Sequence, residues 1–223
     1  MTKRLVYFPS SAKDKFVETK EIEFTWFRGF AVSQKQKSIH SFHEGIKRET
    51  DCSNILEISS KSPIPLGIQS SAFNLKINID DINTTVESFF QGSKVFEGGG
   101  PFTDLYFKES IQAKKDTRLN ENGELKYFEY KGEKWKLEEN FYSWVYLLGL
   151  YQNENISREI IKYDAFTDIE FNPKKSHNCQ ANSAAIYTSA VRKKINLDEI
   201  NSSVIFKKIF FKEDIGPQQI KLL

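Results

Sequence analysis

A chain of 223 residues is long enough to bury one sizeable core, and its 32 basic against 30 acidic residues, a net charge of +2, exclude a dedicated nucleic-acid coat. No stretch approaches the ~20 apolar residues of a membrane span, and the start MTKRLVYFPSS lacks the apolar core of a secretion signal. The expectation is a soluble, cytoplasmic protein with no membrane partner.

Nineteen Phe, nine Tyr and three Trp imply an interior of large flat side chains, a residue type that also stacks on bases. Cys52 and Cys179 share no metal-like spacing with His40, His43 or His177, so free thiols are expected and no metal site.

In chain order, Lys3 to Phe8 and Thr19 to Phe30 read as strands. The polar, basic run Ser33 to His40 reads as a solvated loop or a phosphate contact, leading into a short helix near Glu44–Arg48. Ile55 to Ser59 reads as a strand, and SKSPIPLGIQSSAFNL as an irregular stretch broken by Pro63, Pro65 and Gly67. LKINI forms a further strand, a turn follows at Asp80–Asn83, and Thr84 or Thr85 supplies an N-cap.

The stretch TVESFFQGSKVFEGGGPFTDLY, Thr85 to Tyr106, carries the densest chemistry. On a helix, Glu87, Gln91 and Lys94 fall at i, i+4 and i+7, which puts a carboxylate, an amide and an amine on one stripe. Phe89, Phe90 and Val95 enclose it, and enclosure shifts and couples titrations. Gly98, Gly99 and Gly100 can then present bare backbone N–H groups to a phosphate. A buried helix with a satisfied Glu–Lys pair and a flexible turn fits the same spacing.

Beyond it, Ala113 to Asp116 reads as a short helix, with Arg118 as a further phosphate candidate. Leu125–Tyr130 and Glu133–Leu137 form a hairpin about Lys131-Gly132. The segment from Asn140 to Phe166 has helical apolar spacing, with Phe141, Trp144, Leu148 and Tyr151 as core. Asp164, Asp168 and Glu170 form a second acidic cluster, and the basic end of the segment to Lys194 suits a helix C-terminus. VIFKKIFF reads as a strand. No repeat or linker divides the chain, so a single domain over residues 1–223 is expected, with 1–25 as a strand extension and 202–223 as a tail.

Five segments together resemble the NADAR superfamily, in its DarT-associated antitoxin branch: SQKQKSIHS (Ser33–Ser41), LGIQSSAFNL (Leu66–Leu75), ESFFQGSKVFEGGGPFTDLY (Glu87–Tyr106), AKKDTRL (Ala113–Leu119) and YDAFTDIEFNPKKSHNCQANSAA (Tyr163–Ala185). The superfamily's Glu-x-x-x-Gln-x-x-Lys helix is matched by Glu87, Phe90, Gln91 and Lys94, and its later acidic motif by Asp164 to Asp168. The Trp-Gly pair that the riboflavin-pathway N-glycosidase branch places after that motif is absent.

The resemblance implies an α+β fold, a largely helical core with a small antiparallel sheet and hairpin. It also implies a glycohydrolase that removes ADP-ribose from the exocyclic amine of guanine in DNA, the group that DarT toxins add. ADP-ribosylated DNA would be the substrate, ADP-ribose the product, and a DarT-type toxin a further partner, with no cofactor required. Glu87, Lys94, Asp164 and Asp168 are then the candidate catalytic residues. Ser33, Gln34, Lys35, Phe73, Asn74, Gln91, Gly98, Gly99, Gly100, Arg118, Phe166 and Thr167 are the candidate substrate contacts.

Two mechanisms fit. Lys94 attacks the anomeric carbon through a ring-opened imine while Glu87 handles the proton, or Glu87 activates water directly. Asp164 or Asp168 steadies the sugar. The diphosphate is expected at Gly98–Gly100 or at the Ser33–Lys37 run, with Lys35 preferred. Other classes stay open: a glycosidase of riboflavin-pathway intermediates, a non-catalytic antitoxin that binds its toxin, and a single-strand DNA binder.

Overall fold

A computed structural model describes residues 2–172 and 179–211. Strand β1 (Thr2–Pro9) turns back as β2 (Val17–Phe24), and helix α1 (Val32–Glu49) leads to β3 (Ile55–Glu57) and the short α2 (Pro65–Gln69). The hairpin β4 (Lys76–Ile79) and β5 (Ile82–Thr85) runs straight into α3 (Val86–Gly92), then β6 (Lys94–Phe96). After a 3-10 turn at Thr103–Phe107 come α4 (Ser110–Lys114), α5 (Arg118–Glu121), β7 (Leu125–Tyr130) and β8 (Glu133–Trp135). The chain closes with α6 (Phe141–Gln152), α7 (Glu154–Ile160), β9 (Ala165–Thr167), α8 (Gln180–Arg192) and α9 (Ser203–Phe211).

The largest sheet has the order β2-β1-β9-β3. It is mixed rather than antiparallel, because β3 and β9 pair in parallel while β1 pairs with β2 and β9 antiparallel. Residues 1–25 therefore supply two of its four strands and are no appendage. Successive strand residues face opposite sides of a sheet. Val6, Ile55 and Ala165 accordingly point to one layer with Ile39, Phe42 and Ile46 of α1, while Tyr7, Leu56 and Phe166 point to the main core. That core holds α6 and α8 together with a run of packed rings, Phe89, Phe128, Trp135, Phe141 and Trp144. β6, β7 and β8 form a separate antiparallel sheet, with Lys131 and Gly132 both at positive φ in its hairpin turn, as that two-residue turn requires.

Several expectations change. The Ser33–His40 run is no loop: it forms the first turns of an 18-residue helix, which buries Ile39, Phe42 and Ile46 only further along. No side chain caps that helix, so its polar first half carries no start signal. Thr85, as expected, caps α3 by accepting from the Ser88 N–H at 3.2 Å. Asn153 divides the long apolar segment into α6 and α7, and Tyr151 is 38% exposed, its hydroxyl donating to Asp198 instead of joining the core. VIFKKIFF is helical, since Phe206 and Phe210, four residues apart, face the core together with ring centroids 5.1 Å apart. Positions 173–178 and 212–223, which include part of the Asn172-Pro173 motif, His177 and most of the tail, lie outside the described residues.

Candidate active site

The β5–α3 junction places Glu87 in the first turn of α3, buried, and Gln91 one turn later. Gln91 Nε2 donates to Glu87 Oε1 at 2.9 Å. Its carbonyl oxygen is buried with no donor among the described residues. An unsatisfied buried acceptor costs about 1–3 kcal/mol, and this one stands beside the Glu87 carboxylate.

Helix α3 ends at Gly92, and Lys94 opens β6 rather than continuing the helix. It returns to the same neighbourhood all the same. Its ammonium lies 4.9 Å from the Phe90 ring centroid, and burial pushes its pKa down to about 8, with Lys114 adding to the shift and Glu87 opposing it. No carboxylate comes within ion-pair distance of Lys94 among the described residues. The ion pair to Glu87 belongs instead to Lys114, at 3.5 Å, which also caps the Phe73 ring at 4.8 Å. Lys114 was not singled out from sequence, where one exposed lysine in a basic run looks like any other.

The glycine run has another role than the one expected of it. Gly98 N–H donates to the Asn122 carbonyl at 2.9 Å and Gly99 N–H to the Phe96 carbonyl at 3.4 Å, so neither is free to cradle a phosphate. Gly100, at φ +111°, lies against the Lys94 backbone: a Cβ there would stand 2.3 Å from the Lys94 carbonyl oxygen. The run therefore positions Lys94. Gly100→Ala is expected to destabilise the protein by about 2–3 kcal/mol, by adding left-handed strain to a backbone clash, read as a lower midpoint in thermal unfolding.

A second polar cluster sits at the C-terminal ends of β3 and β9. Glu57 is fully buried and accepts from Thr167 Oγ1 at 2.6 Å and from the Ile169 N–H at 2.8 Å. Thr167 spends its one proton on Glu57, so His43 Nε2, 2.9 Å away, must donate to it. Burial, with Lys47 and His40 beside it, pushes His43 down to about 4 and keeps its ring neutral. Asp168 is buried next door and accepts from the backbone N–H groups of Glu170 and Phe171 at 3.0 and 3.1 Å. Burial first, and Glu57 second, push its carboxyl upward.

The clusters are joined. Gln180, opening α8, hydrogen-bonds Asp168 and accepts from the Ala72 N–H at 2.9 Å, while the Ala72 carbonyl accepts from the Glu87 N–H at 2.9 Å. Tyr142 of α6 is buried near both carboxylates, and its pKa is raised by burial, then by the charge of Glu87 and more weakly by that of Asp168. Glu57, His43, Gln180 and Tyr142 escaped sequence reading, because no local spacing links residues that only the fold brings together.

Other candidates fall elsewhere. Asp164 stands at the opposite end of β9, exposed and paired with Arg192 at 3.1 Å, away from Asp168 across the three-residue strand. Asp164→Asn is expected to leave turnover within about twofold, since an exposed pair contributes little; assay of the variant beside Asp168→Asn checks this. Arg118 is held by Asp104 and Asp116 at 2.7 Å each, which occupies the fork expected to meet phosphate. Phe166 is fully buried in the core, Thr167 faces Glu57, and the Asn74 amide donates to Ile68 and Ser71. Ser33, Gln34 and Lys35 lie in the first turns of α1, with Lys35 bridging to Glu170 at 3.0 Å and lying 4.7 Å from the Trp26 ring.

A half-buried amine without an ion-pair partner among the described residues thus lies beside a carboxylate and an unsatisfied amide on a mixed α+β scaffold. The profile of the DarT1-associated NADAR antitoxin family matches residues 2–219, and the chain belongs to that family. Searching the curated proteins gives no match. Among the described residues no group of three His, Cys, Asp or Glu side chains could hold a metal ion, and no helix is long and apolar enough to cross a membrane.

Proposed function

We propose that the protein is a glycohydrolase that releases ADP-ribose from guanine in DNA, reversing the modification made by a DarT-type toxin. One observation carries the reading: Lys94 is packed against the Phe90 ring with its pKa lowered by burial to about 8 and no ion-pair partner among the described residues, beside Glu87 and the acceptor of Gln91. A structural lysine is expected to sit in a salt bridge; a nucleophilic one is desolvated and left free.

In this reading the ribose ring opens as its oxygen takes a proton, and the neutral Lys94 amine adds to C1. The C1–N bond to guanine then breaks, its electron pair leaving with the guanine amine, to which Glu87 passes the proton it took from the adding Lys94 amine. The resulting lysine imine takes up one water, which expels the amine, and ring closure gives free ADP-ribose. Gln91 Oε1 accepts from the guanine amine or a sugar hydroxyl. Asp168, oriented by Gln180, holds the ribose hydroxyls, and Phe73 with Lys114 covers the open side. Lys35 exchanges Glu170 for the diphosphate.

Incubating the purified protein with guanine-modified DNA and following free ADP-ribose tests the activity, and borohydride trapping of a Lys94 adduct tests the imine. Release without any trapped adduct would leave water attack with Glu87 as base. Absence of release, with protection of cells retained by Lys94→Ala, would return the protein to an antitoxin that acts by binding its toxin.

A further inference from the structure

Trp26, Phe27 and Phe30 precede α1, and a cavity of about 530 Å³ opens along that helix, lined by Phe27, Ser33, Gln36, Lys37, His40 and Ser41. Phe27 is 37% exposed and Phe30 fully so, an unusual placement for large rings in a protein that buries most of its own. Cations stand beside them. Arg28 and Lys37 are exposed and have no ion-pair partner among the described residues, unlike Lys35 two residues before Lys37, which is tied to Glu170.

The platform is also fixed in place. The Phe27 N–H donates to the buried Ser38 hydroxyl at 2.9 Å, and the Thr25 N–H donates to Ser41 at 3.0 Å, so the aromatic segment is laced to the helix before any ligand arrives. Exposed rings on an anchored backbone, with unneutralised cations interleaved, match an alternating polymer of flat bases and phosphates. The same helix carries Lys35 and His43, on other faces, to Glu170 and Thr167 of the second polar cluster, so groove and cluster share one scaffold.

We infer that this groove binds single-stranded DNA flanking the modified guanine, with a base stacked on Phe27 and a phosphate against Lys37. The inference rests on the proposed glycohydrolase reading for its choice of strand, and deepens it: the pocket handles the lesion, and the groove recognises the polymer that bears it. Gln36, Ser33 and His40 supply polar edges for the stacked base without reading a sequence.

The experiment uses the full chain and a fluorescently labelled, unmodified single-stranded oligonucleotide, with anisotropy measured across a range of salt. Phe27→Ala is expected to weaken binding about tenfold, as loss of one stacking contact does. Lys37→Glu is expected to weaken it similarly and to flatten the salt dependence by about one released ion or more. Lys134→Glu, on the β7–β8 hairpin, makes the same change in net charge and is expected to bind within about twofold of the parent. Thermal unfolding midpoints confirm that each variant is folded.

The groove is overturned if the parent protein fails to bind the oligonucleotide at low salt, or if Phe27→Ala and Lys37→Glu bind as the parent does. It is equally overturned if Lys134→Glu weakens binding as much as Lys37→Glu, or if duplex binds better than single strand. A separate arm measures release of ADP-ribose from a modified nucleoside and from a modified oligonucleotide. Phe27→Ala is expected to raise KM for the oligonucleotide alone, and equal loss on both substrates would overturn the groove. Failure of the parent to release ADP-ribose from either substrate refutes the glycohydrolase reading, while the anisotropy arm still decides the groove.

Discussion

Lys94→Ala is expected to lower release of ADP-ribose from modified DNA by at least about a thousandfold, with KM changed far less than kcat. The size follows from losing the covalent route: a positioned nucleophile and its orientation together supply several kcal/mol of barrier lowering, and each 1.4 kcal/mol is roughly a factor of ten. The pH profile carries the sharper discrimination. Burial holds the Lys94 ammonium down to about 8, so the neutral amine gains population as pH rises through that value. The imine route therefore predicts a rate that climbs with unit slope below pH 8 and levels above it. Were Lys94 to act only by its positive charge, the rate would instead fall above pH 8. Lys94→Arg separates the cases again, because a guanidinium retains the charge but cannot form the imine. Recovery of more than about a tenth of parental kcat by the arginine variant would rule out the covalent route.

Thermal stability is expected to fall between pH 6.5 and about 8 and then to rise, with Glu57→Gln making the fall smaller. The signs follow from which state holds more protons. Glu57 and Asp168 both have carboxyls pushed upward by burial, with Glu170 adding to the shift of Glu57 and Glu57 to that of Asp168. The folded protein therefore keeps a proton that the unfolded chain has given up, and that stability is lost as pH rises through the folded value. His43 works in the opposite sense, since its folded value near 4 lies below its ordinary 6.5 and stability rises across that interval. Above 6.5 the histidine falls silent and the carboxylates set the slope, at about 1.4 kcal/mol per pH unit for each proton held. Lys94 reverses the trend just beyond 8: the folded amine is neutral while the unfolded chain keeps its proton, so stability rises until about 9, where the buried Cys179 thiol, pushed up by burial, starts to oppose it. Melting temperatures across this range, for the parent and for Glu57→Gln, check both limbs. A parental curve that is flat between 6.5 and 8 would show that the carboxylate pair holds no shared proton.

Glu57→Gln serves as the gentler variant because its amide oxygen still accepts from the Ile169 N–H, while its NH2 faces the Thr167 hydroxyl, whose oxygen can accept in turn. Glu57→Ala strips both, and leaves two buried donors unpaired at about 1–3 kcal/mol each.

What could be read from the chain by itself was whatever depends on neighbours in sequence. The Thr85 cap, the Lys131-Gly132 turn, the strands at Lys3 and Ile77, and the adjacency of Glu87 with Gln91 all rest on contacts spanning a few residues, where local stereochemistry leaves few choices. The family resemblance was legible for the same reason, since its motifs are short and ordered. Tertiary structure decided the rest. Ser33 to His40 became helix only because Ile39, Phe42 and Ile46 dock on the large sheet, and VIFKKIFF did so because Phe206 and Phe210 share one core face. The same long-range packing divided the acidic motif, carrying Asp168 to Glu57 and Gln180 while leaving Asp164 outside with Arg192. It also consumed the amides of Gly98 and Gly99 and the fork of Arg118 within the protein. Local spacing states which groups a segment can present; whether a group is still free to meet a ligand depends on partners dozens of residues away, and only the folded chain selects them.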